Sequence, residues 1–90
     1  MGMAAIILKV MPDSPSANLN EIKEKIKHTL EQEHAQNISF QEKEIAFGLK
    51  AIMVKLAWHE EKETSLIENS LSKIPHVSSV LIEDYRRAFG

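Results

Sequence analysis

The sequence predicts an α+β sandwich in which one four-stranded antiparallel sheet carries two helices on a single face, and three observations predict it. Three segments are rich in aliphatic and β-branched residues, and in these and a fourth, wetter one apolar positions recur two apart. Two further segments, one after the first strand-like run and one after the third, repeat their apolar residues at spacings of three and four. The order is therefore β-α-β-β-α-β, which closes as two layers when both crossovers are right-handed around a central hairpin. Ninety residues supply one modest core and nothing for a second, so residues 1–90 read as a single domain.

In the first strand, Ala4 to Met11, Ile6, Leu8 and Val10 share one face and Ile7, Lys9 and Met11 the other. Both faces are largely apolar, as in a central strand. Pro12-Asp13-Ser14-Pro15-Ser16 stops it, because two prolines cannot donate to a ladder. Asn18 and Glu21 have the form of a capping box, in which each side chain satisfies the other's backbone N–H. The helix they open puts Leu19, Ile22, Ile26 and Leu30 on one stripe. Its other side, with Glu21, Lys23, Lys25, Lys27 and Glu31, is a mixed, solvated face. His28 and His34 fall near the helix end, where a cation suits the macrodipole. They lie about 240° apart around a helix, which speaks against a shared metal.

Residues 36–45 form a wetter strand, with Ile38, Phe40 and Glu42 on one face against Ser39 and Gln41, and Lys43 guarding it as an edge. Residues 49–58 follow with an apolar row of Ile52, Val54, Leu56 and Trp58, interrupted by Lys50 and Lys55. Trp58 reads as core rather than as a base-stacking platform. His59-Glu60-Glu61-Lys62-Glu63 is a solvated loop whose neighbouring side chains point apart and so do not converge on a metal. Ser65 with Glu68 caps a second helix, with Leu66, Ile67, Ser70, Leu71 and Ile74 on its buried side and Pro75 at its end. Val77 to Glu83 returns as a strand, and Asp84-Tyr85-Arg86-Arg87-Ala88-Phe89-Gly90 is the tail. The whole is the ferredoxin-like split βαβ arrangement. Its standard strand order centres the first and third strands, which carry the two most apolar runs.

Composition excludes several functions. With 11 basic and 13 acidic residues the net charge is -2, too acidic for a domain that binds nucleic acid through phosphate neutralisation. There is no cysteine, hence no disulfide, thiol nucleophile or CxxC metal carrier. The apolar run Met3 to Met11 is too short to span a bilayer and lacks the pattern of a signal peptide, so a cytoplasmic, membrane-free location is expected. No phosphate loop, HExxH or GxSxG is present, so no enzyme, cofactor or metal site is expected. An RNA-binding sheet of this topology would show aromatics in its first and third strands, where this chain has Ile, Leu, Ala, Met and Val.

Two surface features remain. Phe47 sits directly before Gly48 at the hairpin tip, where the glycine can take positive φ and close a tight turn. The aromatic then either points outward as an anchor or folds back as a lid on the core. The tail offers Tyr85, Arg86 and Arg87, either a frayed terminus or an arginine pair able to meet carboxylate or phosphate. Lys50 flanks the tip.

Taken together, the Met11 to Pro15 turn, the IAFGLKAI stretch from Ile45 to Ile52, the VSSVLIED strand and the terminal YRR resemble archaeal translation elongation factor 1-beta, over essentially the whole chain. In eukaryotes the similar part is the C-terminal domain of a longer subunit. The resemblance implies a guanine nucleotide exchange factor for the GTPase elongation factor 1-alpha. It implies that Phe47 is the aromatic that packs against the GTPase. It also implies that Arg87 stands where the eukaryotic domain has a near-terminal lysine entering the magnesium and phosphate region. This chain departs there, with a guanidinium and three following residues, and Arg86 is an alternative for the same role. The loop at His59 to Glu63 also lacks the glycine-rich character associated with archaeal members. The competing function is a ferredoxin-like regulatory module that dimerises through a strand edge and binds a small molecule. The exchange-factor reading instead expects a monomer when free.

Overall fold

The computed structural model describes residues 2–87. Its elements run β1 (Met3–Pro12), α1 (Leu19–Gln32), β2 (Gln36–Ala46), β3 (Leu49–His59), α2 (Ser65–Ser72) and β4 (Val77–Arg87). All neighbours pair antiparallel in the order β2-β3-β1-β4, so the two most apolar strands take the centre of a ferredoxin-like sheet.

Register explains why. Ala4 pairs with Trp58, Ile6 with Leu56, Leu8 with Val54 and Val10 with Ile52, so the even positions of both strands share one face. That face meets Ile22, Ile26 and Leu30 of α1 and Ile67 and Leu71 of α2 in one continuous core. Each such side chain, fully buried, stabilises the fold by roughly 1.5–3 kcal/mol. Among the described residues the opposite sheet face carries no helix.

Helix ends show which local signals were used. Asn18 Oδ1 accepts from the Glu21 backbone N–H at 3.1 Å, the first half of the capping box. The second half is replaced: the Glu21 carboxylate faces Lys25 at 3.5 Å. At the other end His34 lies beyond the helix at φ 66°, with its N–H on the Glu31 carbonyl and that of Ala35 on the Leu30 carbonyl. This is a Schellman closure with histidine in the position glycine usually fills.

Several sequence expectations are corrected. The last strand does not end at Glu83. Bulges near Ser78 and Glu83 let β4 keep pairing with β1 through Tyr85, Arg86 and Arg87, so this stretch is sheet and not a frayed tail. Ala88 to Gly90 lie outside the described residues. Pro12 does not stop β1 but closes it, pairing with Val77. In α2 the cap position falls to Thr64, whose side chain makes no capping bond, and the Ser65 hydroxyl instead donates to Glu63 at 3.3 Å. Leu66 is on the solvent side, 41% exposed.

The acidic loop after β3 is strapped down. Lys62 Nζ donates to the Glu33 carbonyl at 2.6 Å and to its carboxylate at 2.8 Å, while lying 4.8 Å from the Trp58 ring centroid. The indole N–H of Trp58 in turn donates to the Lys62 carbonyl at 3.2 Å. A cation from a distant loop thus serves the C-terminal end of α1, which has no basic residue in its own last turn.

Candidate functional site

Between β2 and β3 the chain turns in two residues, Phe47 at φ 53° and Gly48 at φ 79°. Positive φ at both positions marks the primed turn that matches hairpin twist. Gly48 fits this at no cost, whereas a phenylalanine in the left-handed region is strained. The ring gains nothing from the fold in return, because Phe47 is 96% exposed. The lid alternative is therefore overturned, and the residue projects from the molecule. A bulge at Ile45, between the pairs Glu44–Lys50 and Ala46–Leu49, adds a second exposed apolar side chain beside it.

Glu42 fixes the direction of this hairpin. Its carboxylate takes Lys23 of α1 at 2.7 Å and stands 3.9 Å from Lys50 of β3. The hydrogen bond and charge of Lys23 lower the Glu42 pKa against an opposing desolvation effect, and Lys50 adds a smaller lowering. Lys50 thus sits at the base of the tip with its charge already shared. Glu42 was visible in the sequence as an acid in an otherwise apolar row, but its role as a clamp to α1 needed the fold.

At the opposite end of the sheet are Tyr85, Arg86 and Arg87, paired with Ile6, Ala5 and Ala4. Successive strand residues alternate in direction, so the two arginines leave the sheet on opposite faces. Arg87 shares the helix-bearing face, its Nε 3.9 Å from Glu60; Arg86 lies on the uncovered face, its Nε 3.0 Å from Asp84. Both are about four-fifths exposed, at 80% and 81%. They cannot enter one anion pocket together, and the expected arginine pair resolves into two separate cations. Tyr85 is 41% exposed beside them.

The register also measures the distance between the two features. Arg87 is level with Ala4, and the tip begins beyond the Val10–Ile52 pair, level with Asp13. At about 3.3 Å per residue this is about 30 Å along the sheet. Phe47, Gly48 and Lys50 form one end and Tyr85, Arg86 and Arg87 the other. Among the described residues no three His, Asp or Glu side chains are grouped to hold a metal ion, and no helix is long and apolar enough to cross a membrane.

Comparison with known proteins bears on what such a two-ended molecule does. Residues 5–88 match the family model of the EF-1 guanine nucleotide exchange domain. The chain is 38% identical to elongation factor 1-beta of Methanosphaera stadtmanae, with 97% of this chain and 98% of that protein covered. It is 40% identical to elongation factor 1-beta of Methanocaldococcus jannaschii, covering 87% and 91%. For the protein of that name from Staphylothermus marinus the identity is 34%, covering 97% and 98%. Membership and full-length coverage set aside the small-molecule regulatory module. The chain belongs to the elongation factor 1 guanine nucleotide exchange family, and its role is guanine nucleotide exchange in translation elongation.

Proposed function

We propose that the chain releases GDP from elongation factor 1-alpha by contacting it at both ends of the sheet, with Phe47 as an apolar anchor and Arg87 as the cation that competes in the magnesium and phosphate region. The observation that carries this assignment is Phe47 itself, strained at φ 53° and 96% exposed within a matched exchange domain. A fold keeps a conformation that costs it stability where something outside the fold uses it.

An exchange factor must bind the nucleotide-free GTPase more tightly than the loaded one, and by linkage it weakens nucleotide by the same factor. A thousandfold weakening corresponds to about 4 kcal/mol. A single hot-spot contact that strengthens when nucleotide leaves can reach that size, since the strongest are worth about 4 kcal/mol or more. Gly48 sets the turn that aims Phe47, and Lys50 completes the charge of that end. Tyr85 flanks Arg87 on the same face of β4. Arg86 leaves the sheet on its other face, away from the Arg87 contact. No bond is made or broken, so the chain acts as a binding catalyst of exchange without covalent chemistry. A net charge of -2 argues against direct nucleic-acid contact. The chain acts as a monomer in the cytoplasm, where aminoacyl-tRNA is delivered.

The test is stopped-flow release of fluorescent GDP from the cognate GTPase by wild type, Phe47→Ala and Arg87→Ala. At concentrations below saturation wild type speeds release about tenfold or more, and each substitution loses most of the acceleration with an unchanged circular dichroism spectrum. If all three act alike and fast, exchange is intact and these anchors are wrong. If wild type leaves a verified partner unaffected, elongation factor 1-alpha is not its target.

A further inference from the structure

The sheet face without helices is chemically unlike the rest of the molecule. Lys55, Ile7 and Asp84 lie side by side across β3, β1 and β4, with Ala57, Ala5 and Arg86 in the next row. Lys9 stands one row the other way, and Lys43 belongs to the same face on β2. Of the 13 acidic residues, Asp84 is the one whose register sets it on this face. Glu83 occupies the β4 bulge, Glu42 and Glu44 fall on the helix-facing rows, and the others belong to helices and loops. A chain of net charge -2 has therefore collected four cations, Lys9, Lys43, Lys55 and Arg86, on one uncovered surface.

Between them the surface is aliphatic and concave. The short side chains of Ala5 and Ala57 lie beside the longer Ile7, Lys55 and Arg86. At Ala5 this leaves a hollow of about 390 Å³, lined also by Ile7, Lys55, Leu56, Asp84 and Arg86. Leu81, 53% exposed, stands beside Lys9.

We propose that this face is a second docking surface that takes an acidic segment of a partner protein, seating one apolar side chain in the Ala5–Ile7 hollow and carboxylates on Lys9, Lys55 and Arg86. An apolar centre with a charged rim is how protein segments are held. Among the described residues the face has no Phe, Tyr or Trp to stack a base, and its apolar centre suits an aliphatic side chain better than a phosphate, so RNA fits it less well. A second copy is disfavoured because like faces would bring lysines against lysines. The surface is separate from the Phe47 tip, and Arg87 leaves the sheet in the other direction, so the inference stands apart from the GTPase contacts proposed above.

The experiment is selection of a phage-displayed random dodecapeptide library on the full chain, with counter-selection on the Lys9→Glu/Lys55→Glu variant. The strongest synthetic peptide is then titrated against 15N-labelled protein, with an oligouridylate titrated in parallel. Enriched peptides carry Asp or Glu on both sides of an apolar residue and shift the amides of Ala5, Ile7, Lys55 and Ala57 and not that of Phe47. Charge reversal weakens them about tenfold or more, and added salt weakens them as well. GDP exchange by the double variant stays at the wild-type rate. Should that variant not fold, Lys9→Gln/Lys55→Gln replaces it with the same expectation of weakened binding. No enrichment, enrichment indifferent to these substitutions, shifts at another surface, or a face that answers the oligouridylate alone would each overturn the proposal.

Discussion

Replacing Phe47 with asparagine separates what the hairpin tip costs the fold from what it contributes to exchange. In the structure Phe47 holds φ 53° while 96% exposed, so its ring returns almost no burial for the strain. An L-residue in the left-handed region is disfavoured by roughly 1–2 kcal/mol, and asparagine is among the few that relieve this through local hydrogen bonds. Phe47→Asn also creates Asn-Gly, the preferred pair for a primed two-residue turn. The variant should therefore be more stable by about 1 kcal/mol, and its Tm should rise by about 4–8 °C. Exchange should move the other way. Loss of an anchor worth about 2 kcal/mol slows GDP release about 30-fold at concentrations below saturation. Thermal melting followed by circular dichroism and stopped-flow release on the same preparations read both effects. Phe47→Tyr serves as the control that keeps strain and ring together. An unchanged or lower Tm would refute the strain accounting; wild-type exchange with a raised Tm would show that the ring is no anchor.

Three other outcomes follow from the same geometry. Lys62→Met keeps the aliphatic stem but removes the ammonium from the Glu33 carbonyl and carboxylate, at 2.6 and 2.8 Å. Urea unfolding should show a loss of about 1–3 kcal/mol, and a loss near zero would mean the strap is ornamental. His34→Gly relieves the left-handed φ of 66° at the end of α1 and should raise the Tm by a few degrees, since glycine is the usual residue there. Glu42 supplies a pH signature. Lys23, and more weakly Lys50, depress its folded pKa below the ordinary 4.5. Its contribution is thus complete above that value and lost as pH falls through the folded pKa. Urea midpoints measured through the acid range should fall less steeply in Lys23→Met than in wild type; parallel curves would mean the pair does not couple to folding.

The fold was legible because its signals were redundant. Alternating Ile6, Leu8 and Val10 and the row Ile52 to Trp58 each called for a core-facing central strand, and pairing them in register satisfies both. What failed was local and polar. Ser65 and Glu68 looked like a cap, but Thr64 takes that position with its backbone alone, and the Ser65 hydroxyl turns to Glu63. The tail read either as a frayed terminus or as an arginine pair beyond the last strand, yet an edge strand needs only backbone groups to pair, and bulges absorbed the misfit. Phe47 beside Gly48 left outward and inward rings equally open, and backbone dihedrals decided it. That the two proposed anchors lie at opposite ends was implicit in antiparallel pairing, since β4 finishes beside Ala4 whereas the β2–β3 turn falls level with Asp13.

That separation assigns different kinetic roles to the two ends. A contact speeds nucleotide loss only if it is stronger when nucleotide is absent. With about 30 Å of sheet between them, one end can compete with nucleotide while the other holds the partner whether or not it is loaded. On the proposed assignment Arg87 is the competing end and Phe47 the holding end. A holding contact changes how much exchange factor is needed; a competing one changes how fast the saturated complex releases GDP, the same division that separates uniform from differential binding in enzymes. Phe47→Ala should therefore raise the half-saturating concentration and leave the plateau rate near wild type, whereas Arg87→Ala should lower the plateau and barely move half-saturation. Full saturation curves of release rate against exchange-factor concentration distinguish these outcomes. If Phe47→Ala lowered the plateau as much as Arg87→Ala does, the tip would have to act on nucleotide through a conformational change in the GTPase. The sheet would then be a lever rather than a spacer.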